Sequence, residues 1–246
     1  MAYREVVVLP DIHWEHHNVR ALSSATNYIA CLSNPLVGVI GDFYTLDEFS
    51  RFRKDPRQAN RTLRSVETAV KDFWKPLRGM TTDLWYTLGN HEERIYDYLI
   101  DRAPDILSLT GVPYEDWLGF GPYVDRWCHY EDGLKFGNVV FTHGNRTGTT
   151  SAKGLLEGWG MSGMSGHTHQ AKRHEKRTGN GRLMWQEVGF LGDMRQWYND
   201  HNTTDWHTGF GHAWIDDRGK ELPQMEFVRV DEKSGRFTLD GVEWRP

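Results

Sequence analysis

Four short apolar runs, each broken off by a residue able to bind a metal, constrain this chain more than anything else in its 246 residues. They are "REVVVLPDIH" (4–13), "LVGVIGDF" (36–43), "DLWYTLGNH" (83–91) and "NVVFTHGN" (138–145). Their β-branched and aromatic residues run on with little polar alternation, which is how a strand buried on both faces reads. Helical stretches are expected at about 18–32, at 57–78 and from Glu92 to about 103. Strands alternating with helices predict a parallel sheet, and such sheets gather their sites beyond the carboxyl ends of the strands. The four ends carry Asp11 and His13, Asp42, Asn90 and His91, and His143. A fifth cluster, "SGMSGHTHQ" (162–170), adds His167 and His169. Any one of these could cap a turn, since Asp and Asn favour such positions. Five together, with this mixture of imidazole, carboxylate and amide, point to metal binding. From about residue 170 onward the pattern is mostly β, with turns at "TGNGR" and "DDRGK".

Composition removes several alternatives. The two cysteines, Cys31 and Cys128, form no CxxC, which excludes a cysteine zinc site and argues against a disulfide framework. Two free, buried thiols in a reducing compartment are the simpler expectation, with a single Cys31–Cys128 bridge as the alternative. No apolar run approaches the ~18 residues that span a bilayer. The opening "MAYREVVVLPD" meets charge too early for a secretory signal. A cytoplasmic protein with no membrane partner is the expectation. Length and the absence of a linker predict a single domain over 1–246, with a basic helical segment at about 46–78. A 13% aromatic content with 11 Trp implies a large core, an aromatic binding surface, or both.

The ordered set "DIH" (11–13), "GD" (41–42), "GNHE" (89–92), "THG" (142–144) and "GHTH" (166–169) resembles the calcineurin-like metallophosphoesterase superfamily. It spans residues 11–169 in that family's order. The resemblance implies an α/β fold, a four-layer α-β-β-α sandwich, with a two-metal centre at one edge. It implies one metal held by Asp11, His13, Asp42 and His169, and a second by Asp42, Asn90, His143 and His167. Asp42 would bridge them, and His91 would be the catalytic residue that protonates the leaving oxygen. Two cations ~3.5–4 Å apart can generate a hydroxide nucleophile near neutral pH and neutralise charge on the phosphoryl oxygens. The donor mixture suits manganese first, with iron, zinc, cobalt or nickel as alternatives. Ser/Thr protein phosphatases carry Gly-Asp-x-x-Asp-Arg-Gly after the second strand. Here the stretch is "GDFYTLDEFSR", with Thr45 in place of the second Asp, and it is more similar to small bacterial and phage-encoded members. The group that orients His91 is therefore open, with Asp47 and Glu92 as candidates.

Two other features bear on substrate. Segment 51–78 holds nine Lys or Arg against three Asp or Glu, a balance of +6, so the rest of the chain carries -11 of the total -5. In it Leu63, Val66, Val70, Phe73 and Leu77 form an apolar stripe, and Arg61, Arg64, Lys71, Lys75 and Arg78 a basic one. The basic stripe could guide a nucleic acid, although a solvated face of an amphipathic helix is the commoner case. Segment 185–214 is rich in aromatic residues and histidine. Trp185 and Trp214 read as core; Trp197, Tyr198 and Trp206 read as loop residues able to stack a base. His16 and His17 read as helix-start residues rather than ligands. Arg94 and Arg146, which follow ligand motifs, are candidate phosphate clamps. The expected function is hydrolysis of a phosphodiester, in nucleic acid or a nucleotide, with two divalent ions. A phosphomonoesterase and an inert binding scaffold are the alternatives. Oligomeric state is not legible.

Overall fold

The computed structural model describes residues 3–50, 62–106, 113–179, 181–195 and 204–246. The strands are β1 (Tyr3–Pro10), β2 (Leu36–Ile40), β3 (Asp83–Thr87), β4 (Arg126–Cys128), β5 (Leu134–Phe136), β6 (Val139–Thr142), β7 (Ser162–Ser165), β8 (Arg173–Thr178), β9 (Gly181–Glu187), β10 (Gly209–Asp216), β11 (Gln224–Arg229), β12 (Phe237–Leu239) and β13 (Val242–Trp244). The helices are α1 (Val19–Cys31), α2 (Thr62–Ala69), α3 (Lys75–Arg78), α4 (Asn90–Arg102), α5 (Tyr114–Trp117) and α6 (Ser151–Trp159).

Two sheets pack face to face. One has the order β11-β10-β1-β2-β3-β4, the other β5-β6-β7-β9-β8. In the first, β1 to β4 are mutually parallel and β10 and β11 add antiparallel strands at one side. In the second, β6, β7 and β9 are parallel. Side-chain alternation explains the layering. On β1, Val6 and Val8 face the second sheet, where Phe141, Met164 and Val188 meet them with Trp85. Val7 and Leu9 face the other way, onto Ala21, Ala25 and Ile29 of α1. Both faces of β1 are buried, so its run is continuously apolar. A smaller cluster of Val140, Leu155, Leu156 and Trp185 packs α6 onto the second sheet. Helices, sheet, sheet and helix therefore make the four layers the sequence implied.

Helix α1 starts where expected, because the Asn18 side chain caps it by accepting from the Ala21 N–H at 3.0 Å. The expected 57–78 helix falls partly on 57–61, Arg61 among them, which lie outside the described residues. Its remainder is interrupted: Val70–Trp74 form a π-helical turn between α2 and α3. Leu63 departs from the apolar stripe, since it sits on the outer turn of α2 and is 73% exposed. Arg64, Lys71 and Lys75 are exposed, while Arg78 pairs with Asp125 at 2.5 Å. Trp185 is core as expected, but Trp214 is not: it lies on the outer part of β10 and is 36% exposed. Both cysteines are free, but Cys31 ends α1 in solvent and Cys128 is only partly covered. Among the described residues no helix is long and apolar enough to cross a membrane.

Candidate metal centre

The parallel strands β1, β2 and β3 end at one edge of the first sheet, and β6 and β7 end at the same edge of the second. The loops that follow bring the five sequence clusters together. Asp11, His13, Asp42 and His169 each place a donor atom within 4.8 Å of the others. Asp42, His143 and His167 form a second such group, so Asp42 belongs to both. Asn90 joins the second group, its Oδ1 lying 3.2 Å from His143 Nε2.

Backbone geometry at these positions is unusual. Asp11, His13, Asp42, His167 and His169 all have positive φ, between 42° and 66°. A residue with a Cβ pays about 1–2 kcal/mol for that left-handed conformation. Such strain concentrates where function requires it. Two glycines let the loops close. A Cβ on Gly89 would lie 2.1 Å from Asp42 Oδ1, and one on Gly166 would lie 2.1 Å from Asp11 Oδ2. The glycines of "GNH" and "GHTH" thus clear space for the two carboxylates.

The donor set is short of positive charge. His143 donates from Nδ1 to the Ile40 carbonyl at 3.0 Å, which leaves the Nε2 lone pair facing inward. That nitrogen faces Asp42 Oδ2 at 3.4 Å, Asn90 Oδ1 at 3.2 Å and His167 Nδ1 at 3.1 Å. In the other group His13 Nε2 faces His169 Nε2 at 3.3 Å, and His169 Nε2 lies 3.4 Å from Asp11 Oδ1. Donor atoms this close together can share a proton or a metal cation between them. Without a metal, a proton takes that place at His143. Burial alone would push His143 down, yet Asp42 and Asp11 lift it to about 10. Against its own burial, Asp42 is held well below the usual carboxylate range by His143 and His91. Burial, with His143 beside it, pushes His167 down to about 4. Burial, His91 and His169 push His13 down too, and its buried Nδ1 has no hydrogen-bond partner among the described residues. His13 and His167, uncharged beside an ionised Asp42, suit a divalent cation.

His91 lies against both groups. Its backbone N–H donates to Asp42 Oδ1 at 3.0 Å, and its Nε2 is 3.6 Å from Asp42 Oδ2. Its Nδ1–H donates to the Thr45 carbonyl at 2.8 Å. The orienting group is thus a backbone carbonyl, not Asp47 or Glu92. Glu92 instead accepts from the backbone N–H groups of Tyr44 and Gly89, each at 2.8 Å, and ties the second and third loops together. Asp47 lies 3.6 Å from Arg94, and Arg94 also donates to the Thr45 carbonyl at 2.9 Å. Arg94 therefore braces the loop that holds His91. Arg146 is exposed, and its side chain lies along Gly154 of α6. His17 is stacked on Trp14 and bonded to its carbonyl, and it immediately precedes Asn18, the cap of α1. His16 closes the 3-10 turn Trp14–His16. Trp206 stands edge-on to the His169 ring at 4.6 Å. Trp197 and Tyr198 lie outside the described residues.

Three neighbours were not legible as site residues. The Tyr130 ring is 5.6 Å from His143 and 6.3 Å from His167. The Thr45 contribution is backbone and leaves no side-chain signal. Glu187, at the end of β9, is fully buried, and burial lifts its carboxyl to about 7. Lys172 Nζ lies 3.9 Å away. A charged residue inside the apolar run "MWQEVGF" is the signal that could have found it.

The chain can now be set beside known proteins. Residues 5–232 match the model of the calcineurin-like phosphoesterase family. The Gene 54 protein of Mycobacterium phage D29 is 27% identical over 261 residues, covering 98% of each chain. Among solved structures, Vacuolar Protein Sorting 29 from Cryptosporidium parvum aligns over 99% of this chain and 96% of its own, with TM-score 0.48 and 13% identity. A 5'-nucleotidase precursor from Thermus thermophilus aligns over 92% of this chain and 54% of its own, with TM-score 0.42 and 12% identity. With its Asp/His cluster at the shared edge of the two sheets and a family match over nearly its whole length, the chain belongs to the calcineurin-like phosphoesterase family.

Proposed function

We propose that residues 1–246 form one domain that hydrolyses phosphodiester bonds, in nucleic acid or a nucleotide, with two divalent metal ions. The observation that carries this reading is the shared carboxylate: Asp42 belongs to both donor groups. Asp11, His13, Asp42 and His169 would hold one ion, and Asp42, Asn90, His143 and His167 the other. Manganese is our first choice for these donors. When bound, such a pair supplies an activated water and neutralises charge developing on the phosphoryl oxygens.

The chain's own residues supply the rest. Asp11, His13, Asp42 and His143 are buried, whereas Asn90, His91 and His167 are only half-buried, so substrate enters on the side of the latter three. His91 is fixed by its Nδ1–H bond to Thr45 and presents Nε2 there. Burial holds the free ring down at about 4. An arriving phosphate anion pulls the other way, because opposite charge favours the protonated ring. The ring then carries a proton at Nε2 for the departing oxygen. Both cysteines are unpaired, which suits a reducing compartment such as the cytoplasm.

The test is hydrolysis of a chromogenic phosphodiester and the matching monoester by manganese-loaded protein. His91→Ala should lower kcat on the diester by about 10²–10⁴-fold, the usual worth of general-acid catalysis. Asp42→Asn should abolish turnover. Cleavage of the monoester alone would replace this reading with a phosphomonoesterase. No cleavage and less than one bound ion per chain would mean a binding scaffold.

A further inference from the structure

Beside the metal centre lies a cavity of about 470 Å³, within the size range of small-molecule sites. Trp206 forms the wall nearest the centre, one ring away from His169. Arg229, Arg236 and Thr208 line it further out. Both arginines are exposed, and neither guanidinium is in an ion pair among the described residues. Arg229 is held over the Phe227 ring at 5.5 Å, which fixes its direction. The Thr208 hydroxyl is buried and has no hydrogen-bond partner among the described residues. Two acids, Asp231 and Glu232, share the lining, and neither forms an ion pair with these arginines among the described residues. Asp231 Oδ1 is engaged by the Ser234 hydroxyl and N–H, each at 2.7 Å, in the turn after β11. Glu232 is the acid that remains. A second cavity of about 350 Å³ shares Met194 and Glu232 with the first and adds Arg20, Arg195 and Lys233 against Asp193.

Unpaired guanidiniums and an unsatisfied hydroxyl are the groups that receive phosphate oxygens. We propose that this cavity is a subsite for a second phosphate of the substrate, one that is not cleaved, with Arg229 and Arg236 as its receptors and Thr208 as a hydroxyl donor. The inference rests on the phosphodiester reading above and sharpens it. The substrate would carry at least two phosphates, as a single-stranded nucleic acid or a nucleotide polyphosphate does.

The experiment measures binding of a fluorescein-labelled oligothymidylate to the full chain in EDTA by anisotropy, over a series of salt concentrations. The Arg229→Ala/Arg236→Ala variant should bind about tenfold more weakly or worse, the loss expected for even one charged hydrogen bond. Its log–log salt slope should be shallower by about 0.7, the worth of one phosphate contact on a single strand. Lys71→Ala/Lys75→Ala, with the same charge change on the π-helical turn and α3, should keep the slope. If the arginine variant melts lower than the parent, Arg229→Lys/Arg236→Lys is read instead, and should retain most of the slope but lose affinity through the missing bidentate geometry. Competition with a nucleoside diphosphate separates the two sources: displacement that depends on the arginines means any second phosphate is taken, and none means a strand is required. No loss in the arginine variants, or an equal loss in the lysine control, overturns the subsite. Chromogenic diester cleavage with arginine-independent binding would sink the subsite and leave the function. Arginine-dependent binding without diester cleavage would do the reverse.

Discussion

Because Asp42 is shared, its loss should remove two metal sites at once, and thermal melting can count them. A ligand that binds only the native state stabilises it by about 2.7 kcal/mol at a hundred times its Kd. An unfolding entropy of about 2.1 cal/mol/K per residue gives about 0.5 kcal/mol/K for a chain of 246 residues. Each filled site should therefore raise the melting midpoint by about 5 °C, and two independent sites by about 10 °C. The assay is differential scanning fluorimetry of each variant with manganese and with EDTA. Only the difference between the two midpoints is read, so any folding cost of the substitution cancels. The parent should gain about 10 °C, and His167→Ala, which touches only the second group, about 5 °C. Asp42→Asn should gain close to nothing. A gain of one full increment in Asp42→Asn would show that the sites do not depend on a common carboxylate. A parent gain no larger than that of His167→Ala would leave one metal, and the two-metal reading would fall.

Two further predictions use the same melting assay. Gly166→Ala places a Cβ 2.1 Å from Asp11 Oδ2 and 3.3 Å from the Ile40 carbonyl, so Asp11 or the "GHTH" loop must move. Its metal-linked gain should drop to about 5 °C or less, the worth of one remaining site; a full gain would mean that the loop relaxes without disturbing Asp11. Glu187 gives a pH dependence. Burial lifts its folded carboxyl from an ordinary 4.5 to about 7, so the folded state binds more protons than the unfolded one between those values. Stability from this group is present at low pH and is lost as pH rises through about 7, by up to about 3 kcal/mol. In EDTA, Glu187→Gln should therefore gain on the parent between pH 4.5 and 8. A constant difference across that range would show that the carboxyl does not titrate there.

Much of this was legible because two kinds of signal coincide. Continuous apolar runs such as Val6–Val8 with Leu9 are readable as strands, since burial on both faces leaves no polar alternation. The residues that end those runs are readable because the donors fall where parallel strands stop. What failed depended on tertiary context. Leu63 keeps the helical period of its stripe, yet among the described residues no element covers the outer turn of α2. Trp214 alternates correctly on β10, but it stands where the sheet face is left open to solvent. The partner of His91 could not be read because it is a carbonyl, and every residue has one. The choice between Asp47 and Glu92 failed for a related reason: both carboxylates are close in sequence, and each is engaged elsewhere, one near Arg94 and one on the backbone of Tyr44 and Gly89.

The conformation of the donors is the part that no periodicity reveals, and it bears most directly on function. Five of the seven donor residues have positive φ, although none is glycine. Asp and His enter this region more readily than most side chains, so the sequence shows nothing out of place. Each instance still costs about 1–2 kcal/mol, against a typical total stability of about 5–15 kcal/mol. The surroundings hold the strain by interlocking the loops. His13 N–H donates to the Asp42 carbonyl at 2.9 Å, and His167 N–H donates to Asp11 Oδ2 at 3.0 Å. Glu92 then joins the Asp42 loop to the Asn90 loop. Each loop is thus pinned by a residue of another, and a single loop has no means of keeping its own donors in place. A chain selected for stability alone would put glycine at such positions. Aspartate and histidine there, aimed at common centres, mark a backbone strained to present ligands.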